Sequence, residues 1–396
     1  PVQMMMVAVG IGTGVGANAL IARALGQGDR EKAGAAAGNA MTLMGIIYAV
    51  CLLFGAFGAG AYIGSQTSDP IALAMGSQYL RICCMASFGI LFFSVFEKTL
   101  QATGRSLYST IAQVAGALTN IVLDPIMIYG LLGCPKLGVA GAAWATVISQ
   151  GISGILCLLY IAKKVPALYL HREDWEIDKN LAGWQLKIGL PMAFQYSITA
   201  IGTIVVQSCL NILGSTAAAG FAAASKIEQV FTQAYVALGT TMATYCAQNM
   251  GAGKYTRIRK GFKSATLIGF IYAVVTGVII FFVGKYMTIF FVSENVNQIM
   301  EYVDIYLRCV SVSFLPLVIV NLHRNGIQGM GYGLPMTAGI AELVGRSGAS
   351  LIASHFGSYM GICLASPAAW VLAGTLLLIM YFEIMKGKKD RNLKNR

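Results

Sequence analysis

Long apolar segments alternate with short polar loops along the whole chain. Eleven segments are long enough for a helix that crosses a bilayer, which takes about 20 residues. They cover residues 2–25, 36–62, 76–98, 107–132, 138–162, 185–213, 217–248, 261–289, 300–323, 333–354 and 358–385. Of the 396 residues, 57% are hydrophobic and 11% are charged, against roughly 25% charged residues in a soluble domain. We therefore predict an all-α polytopic membrane protein with eleven helices.

The chain repeats itself at an offset of 225 positions for Gly26 and Gly251 and of 227 positions further on. Tyr79-Leu80-Arg81 returns as Tyr306-Leu307-Arg308, and Gln101 returns as Gln328. Repeats of roughly 20–50 residues build solenoids, whereas a duplicated half-protein in a membrane chain is typical of a transporter. The pattern predicts two helical bundles, which we call lobes, joined by a linker.

The second copy of the repeat has one helix more than the first. Segment 185–213 precedes the second copy and has no mate in the first, and the chain opens at Pro1 rather than Met. We expect one further helix upstream, and so two lobes of six helices each. The predicted organisation is an N-terminal lobe (1–162), a cytoplasmic inter-lobe linker (163–184), a C-terminal lobe (185–386) and a basic cytoplasmic tail (387–396).

Basic residues predict the orientation. The formal net charge is +12, and most Lys and Arg residues fall in every second loop and in the tail, as they do on the cytoplasmic side of a membrane. Each lobe would hold an even number of helices, so both lobes point the same way and the repeat is parallel. The positive charge determines the membrane topology and contacts anionic lipid, which explains it better than binding of nucleic acid does. We expect a multi-pass protein of the cell membrane, with a cytoplasmic C-terminus and no need for more than a monomer.

Several function classes lack the residues they need. The nine cysteines include no Cys-x-x-Cys pair and the three histidines are scattered, which supports neither a metal centre, a disulfide framework nor an enzyme. Gly10, Gly12, Gly14 and Gly16 lack the Lys-Ser/Thr of a phosphate-binding loop, and instead form small-xxx-small pairs that pack helices. Transport would therefore draw on an ion gradient or on a separate subunit.

An acidic residue inside an apolar segment is the strongest site candidate, because ionisable groups at membrane depth are costly and usually functional. Asp124 lies four residues after Asn120 in segment 107–132, so the two share one helix face. Pro125 cannot donate to the carbonyl of Ile121, which leaves a free oxygen one turn away. These groups suit a coupling cation, and the carboxylate alone suits a proton. The alternative is that Asp124 lies near the outer helix end and pairs locally.

Other polar residues lie inside the predicted helices. Glu97 lies one turn before Gln101 near a cytoplasmic helix end, where a salt bridge at the membrane surface is an equal alternative to a site role. Glu342 and Arg346 are four residues apart and predict an internal ion pair. The candidates for a hydrated substrate cleft are Glu228, Gln195, Gln207 and Gln233.

Six short stretches, in this order, resemble the multidrug and toxic compound extrusion (MATE) family. They are Ala22–Asp29, Gln101–Arg105, Asn120–Pro125, Gly138–Thr146, Gly189–Pro191 and Gln248–Gly253. Each stretch alone is a weak signal, but the ordered set spans essentially the whole chain. The resemblance implies two six-helix lobes and antiport of small cationic amphipathic compounds against Na⁺ or H⁺ by alternating access.

The resemblance also implies roles for single residues. Asn120 and Asp124 match an Asn and an Asp of the cation site in the first lobe of prokaryotic members, and Thr146 matches its Thr. A polar residue of the fourth helix also contributes to that cation site in the family, and Glu97 lies near the matching position. These residues would hold Na⁺ or H⁺, with no other metal and no cofactor. A family Asp of the first helix has no position in this chain, so the choice of ion stays open. The rival function is a flippase for lipid-linked oligosaccharides, which needs basic residues to hold pyrophosphate.

Overall fold

The structure is a computed structural model that describes residues 2–65, 69–166, 172–292 and 296–394. Within these ranges the chain is helical and contains no β-strand. The first helices are α1 (Val2–Gln27), α2 (Arg30–Leu53), α3 (Ala59–Gly64), α4 (Pro70–Met85), α5 (Phe88–Ala102), α6 (Ser106–Tyr129) and α7 (Val139–Lys164). They are followed by α8 (Lys179–Leu213), α9 (Ser215–Gly251), α10 (Tyr255–Val283), α11 (Val296–Ser311), α12 (Phe314–Gly329), α13 (Pro335–His355), α14 (Tyr359–Cys363) and α15 (Ala365–Lys394).

Every predicted apolar segment coincides with a helix or a pair of consecutive helices, so the predicted all-α fold is confirmed. Among the described residues, seven helices are long and apolar enough to cross a membrane, or up to nine if each bent pair counts as one span. Helices α9 and α13 are not among them, and both carry charged residues in their interior. The chain is a multi-pass membrane protein.

The chain divides into two compact units, Pro1–Ala193 and Phe194–Arg396. The division falls inside the 35-residue helix α8, whereas the sequence places the start of the C-terminal lobe at residue 185. The predicted linker, 163–184, takes in the end of α7, a 3₁₀ turn at Arg172–Trp175 and the start of α8. Residues 167–171 of that linker and 395–396 of the tail lie outside the described residues. The four predicted domain bounds stay a prediction.

The glycines of α1 allow close packing on two sides of this helix within the first unit. Cβ atoms at Gly10 and Gly14 would meet α5 at 3.2 and 2.9 Å. A Cβ at Gly12 would lie 2.5 Å from the carbonyl oxygen of Gly189 on α8, and one at Gly16 would also meet the backbone of α8. The two small-xxx-small pairs therefore face different neighbours, and their predicted role in helix packing is confirmed.

Two helix pairs are bent at related positions of the repeat. Helices α4 and α5 meet at 42°, and α11 and α12 meet at 57°. The breaks lie at residues 86–87 and 312–313, which agree with the offset of the repeat to within one residue. Each unit therefore contains a bent pair of helices that together are long and apolar enough for one span.

The second unit packs around large side chains that are fully buried. Tyr235 on α9 and Phe314 at the start of α12 are among the largest of them, and their ring centroids lie 5.7 Å apart. The Tyr235 hydroxyl lies 3.0 Å from Oγ1 of Thr276 on α10. This core holds α9, α10 and α12 together, and so fixes the helices that carry Glu228 and Arg324.

Candidate functional site

Asp124 lies half-buried in the last third of α6, with Pro125 directly after it inside the helix. Nδ2 of Asn120 donates to Oδ1 of Asp124 at 3.4 Å, which is a long hydrogen bond. Among the residues that the structure describes, no Lys, Arg or His forms a salt bridge with Asp124. In the described part of the chain, the one side-chain partner of this carboxylate is the Asn120 amide, as the shared helix face predicts.

Thr146 lies on α7, the helix that packs along α6. Its Oγ1 donates to the carbonyl oxygen of Ala142, four residues earlier, at 2.9 Å. Thr146 also lines a cavity of about 10 Å³ together with Cys83, Ile90 and Gln150, which is close to the space that one water molecule needs. Neither Asp124 nor Asn120 lines this cavity. A common site for the three residues stays a prediction.

Glu97 has its own partners on α5. Nε2 of Gln101 donates to Oε1 of Glu97 at 2.8 Å, and Nζ of Lys98 lies 3.6 Å from the same oxygen. Nζ of Lys98 also donates to Oε1 of Gln101 at 3.0 Å. The three side chains thus form a closed local network, which corresponds to the salt-bridge alternative of the sequence analysis. The predicted role of Glu97 in ion coupling stays a prediction.

The second unit contains a network of buried charges around Glu342. Oε2 of Glu342 accepts from Nη2 of Arg324 at 2.6 Å, and Oε1 accepts from Nη2 of Arg346 at 2.8 Å. The three side chains are only 11–14% exposed. The predicted pair of Glu342 and Arg346 is confirmed. Gln195 on α8 joins the network when its amide oxygen faces Arg324, because this oxygen then accepts from Nε and Nη1 at 2.9 Å each.

Sequence reasoning missed the part that Arg324 plays in this network. Arg324 lies 18 positions before Glu342, on a different helix, so helix periodicity alone cannot pair them. The repeat held a signal, because Arg324 occupies the position of Glu97 in the second copy. A residue with the opposite charge at a repeated position predicts a different electrostatic role in each unit.

The residues predicted for a substrate cleft lie in different surroundings. The Tyr306 hydroxyl donates to Oε2 of Glu228 at 2.5 Å, and Gln207 donates to the side chain of Asn211 at 3.0 Å. Gln233 is exposed, while Gln195 is buried in the Arg324 network. No described contact joins the four residues, so a common cleft stays a prediction. Tyr306 is the neighbour of Glu228 that the sequence did not indicate, although it belongs to the repeated Tyr-Leu-Arg motif.

The family model for MatE matches residues 1–126 and 191–342 of the chain, which is more than half of its length. The chain belongs to the MatE family. "Probable multidrug resistance protein YoeA" of Bacillus subtilis is 23% identical over 94% of this chain and 81% of its own length. The "FAD transporter" of Shewanella oneidensis is 24% identical over 89% of this chain and 78% of its own length. The members of this family are transporters.

Solved structures of MATE transporters share the fold of this MatE chain. An outward-facing multidrug resistance MATE family transporter has a TM-score of 0.90 at 22% identity, over 98% of this chain and 87% of its own. A transporter of the MOP superfamily from Pyrococcus furiosus has a TM-score of 0.89 at 22% identity, with the same coverage. The name of that structure reports a reversed polarity of its binding pocket. At this identity the likeness shows the two-lobe helical fold alone.

A coupling cation in this MatE chain would rely on few charged ligands. The described residues contain no group of three or more His, Cys, Asp or Glu side chains placed to hold a metal ion. Asp124 is accompanied by the Asn120 amide, and oxygen ligands of this kind suit a hard cation or a proton better than a soft transition metal.

Proposed function

We propose that this MatE protein exports cationic, amphipathic organic compounds in exchange for Na⁺ or H⁺ by alternating access. The observation that carries the proposal is Asp124, an acid inside the spanning helix α6 with no basic partner among the described residues. A carboxylate left unpaired in a membrane is costly, so it persists where it binds a cation or a proton during function.

Ion binding at Asp124 would act on the packing of α6. With its charge uncompensated, the carboxylate favours water or a polar partner; with Na⁺ or H⁺ bound, the same helix face becomes compatible with a dry environment. Helices α6 and α7 touch closely, as shown by the hydrogen bond from Ser153 to the carbonyl oxygen of Ala112 at 3.0 Å. The ion would therefore favour one packing of these helices over another, which is the differential binding that any ion-driven switch requires.

The substrate class rests on the residues of this chain, because the names of its relatives differ in what they say is carried. A flippase for lipid-linked oligosaccharides is the second candidate, and it needs basic residues that are free to bind pyrophosphate. The sequence offers Lys226, Arg308 and Arg346 for that role. Arg308 pairs with Asp304 at 2.9 Å and Arg346 pairs with Glu342 at 2.8 Å. This pairing removes two of the three candidates and favours drug export over the flippase. We further infer a monomer with a cytoplasmic C-terminus.

Ethidium efflux from energised cells tests the proposal, with the full-length protein and its Asp124→Asn variant compared at equal expression. We expect gradient-dependent efflux by the wild type and its loss in the variant, because Asn cannot carry the ion's counter-charge. Asp178→Asn is the matched control: Oδ1 of Asp178 accepts from the backbone N–H of Asn180 at 2.7 Å in a loop, and Asn keeps that cap.

Equal efflux by wild type and Asp124→Asn would remove Asp124 from the coupling mechanism. Dependence on a Na⁺ gradient alone, or on a proton gradient alone, would identify the ion. A wild type that exports none of several cationic dyes would overturn drug export and favour the flippase.

A further inference from the structure

Arg81 is a second charged residue inside a membrane span, and the export mechanism does not use it. It lies on α4, which forms one bent apolar span together with α5. In the described part of the chain Arg81 forms no salt bridge. The acid on its own helix is Asp69, the N-cap of α4, about 18 Å away along the helix axis. An arginine at membrane depth normally has an anionic or polar partner.

The repeat shows what such a partner looks like. Arg308 occupies the position of Arg81 in the second copy, and its Nε lies 2.9 Å from Oδ2 of Asp304. Its guanidinium also lies 5.2 Å from the ring centroid of Phe281. Ser77 stands at the position of Asp304 in the first copy. Both copies therefore contain the arginine, but only the second contains the acid that neutralises it.

Arg81 borders a cavity of about 620 Å³ in the first unit. Ser77 and Gln78 precede Arg81 by four and three residues, so the three polar side chains share one face of α4. Trp144 of α7 lines the same cavity. Gly60 of α3 borders the guanidinium, because a Cβ there would lie in van der Waals contact with Nη2 of Arg81, at 3.6 Å.

We propose that this cavity, lined by Arg81, Ser77, Gln78 and Trp144, binds an amphipathic organic anion. The guanidinium fork matches a carboxylate, sulfonate or phosphate group in geometry and charge. The hydroxyl of Ser77 and the amide of Gln78 supply further donors, and the Trp144 ring with the apolar wall accepts the body of the molecule. The volume lies in the range of drug-sized ligand sites. The site has the opposite polarity to Asp124, and the proposal holds whether or not the protein exports cations.

Binding of a fluorescent aromatic anion tests this site. Purified protein in nanodiscs of phosphatidylcholine is titrated with 1-pyrenesulfonate, and binding is followed by fluorescence anisotropy. We expect the Kd to rise about tenfold or more in Arg81→Gln, because a charge-assisted pair is lost. Arg81→Lys keeps the charge and should bind more tightly than Arg81→Gln. Arg308→Gln is the matched control, since its arginine is already paired with Asp304, and it should bind as the wild type does.

Equal affinity in the wild type and Arg81→Gln would overturn the proposal, as would an equal loss in Arg308→Gln. It would also fail if a pyrene carrying a trimethylammonium group bound as tightly as the sulfonate and competed with it. If Arg81→Gln does not fold, Arg81→Lys decides. The affinity of Arg81→Lys for the sulfonate must be lower than that of the wild type. It must also be higher than the affinity of the wild type for the cationic pyrene.

A second set of nanodiscs distinguishes the two natural sources of the anion. If phosphatidylglycerol in the disc weakens sulfonate binding to the wild type, the headgroup of an anionic lipid occupies the cavity. If the affinity stays the same, the natural ligand is an anion that enters from water. Both results support an anion site at Arg81.

Discussion

At the scale of single residues, the charges inside the apolar segments differ in how they are compensated. Glu342 is held by Arg324 and Arg346, so this network is buried but internally compensated. Asp124 and Arg81 have no partner of opposite charge among the described residues. A compensated network costs little once formed and stabilises one packing, whereas an unpaired charge is stable only if something outside the protein completes it. Ligand binding is therefore argued at the unpaired residues.

Glu342→Gln should destabilise the second unit strongly. The substitution leaves two buried guanidinium groups without their shared carboxylate, and removal of one partner from a buried ion pair costs about 3–5 kcal/mol. The measurement is thermal unfolding of the purified protein, with Glu301→Gln as control because Glu301 is an exposed acid on α11 of the same unit. A melting temperature for Glu342→Gln that matches the control would mean that water, rather than Glu342, compensates the arginines.

The sequence predicted those contacts that helix geometry alone determines. Asn120 and Asp124, like Glu342 and Arg346, are four residues apart, and each pair is in contact in the structure. The contact between Arg324 and Glu342 depends on how α12 and α13 pack, which no periodicity in the chain encodes. For the same reason, sequence reasoning could name Thr146 as a site residue but could not determine what it faces.

At the scale of helices, apolar segments located the elements but not their ends or breaks. Helix α8 begins at Lys179, six residues before the predicted start at residue 185. Its first turns are polar, so the apolar pattern did not include them. The breaks at 86–87 and 312–313 were missed, since both lie inside continuous apolar segments without Pro or Gly at the break. Hydropathy shows which segments are apolar enough to lie in lipid. A break of two residues inside such a segment does not change the hydropathy of the segment.

Gly189→Ala should loosen the contact between α1 and α8. A Cβ at Gly189 would lie 2.5 Å from the carbonyl oxygen of Gly12, and one at Gly12 would lie 2.5 Å from that of Gly189. The two backbones must move apart, and overpacking of this kind costs about 1–3 kcal/mol. The measurement is thermal unfolding of the purified protein.

Gly183→Ala is the matched control for this contact. Gly183 lies on the same helix, and a Cβ there would meet nothing within 4 Å. Alanine at an open helix position is favoured over glycine by about 0.8–1 kcal/mol, so this variant should melt at or above the wild-type temperature. If both variants melted alike, close approach of α1 and α8 would not contribute to stability.

At the scale of the whole molecule, the repeat connects the sequence to the fold and to the transporter family. The offset of 227 positions relates the two bent pairs, Glu97 to Arg324, and Arg81 to Arg308. The helical architecture is thus conserved between the copies while the charges at matching positions differ. This asymmetry favours different roles for matching positions. Arg308 pairs with Asp304, whereas Arg81 forms no salt bridge among the described residues, and Glu97 pairs within its own helix, whereas Arg324 pairs with Glu342 on another helix.

A parallel repeat predicts that matching loops lie on the same side of the membrane. Cys134 is the one exposed cysteine among the nine, and it lies in the loop between α6 and α7. Phe356, which is 78% exposed, lies in the matching loop after α13. The distribution of positive residues predicts that both loops lie outside the cell. An impermeant maleimide should therefore label Cys134 in intact cells, and should not label Cys134→Ser.

Adding Phe356→Cys to Cys134→Ser should restore labelling from outside. Adding Lys254→Cys instead should give labelling only after the membrane is permeabilised, because Lys254 lies in the basic loop between α9 and α10. An inverted repeat would make Phe356→Cys inaccessible from outside while Cys134 stays accessible. Labelling of Lys254→Cys in intact cells, with neither outer position labelled, would show that the whole orientation is reversed and that the basic loops do not determine it.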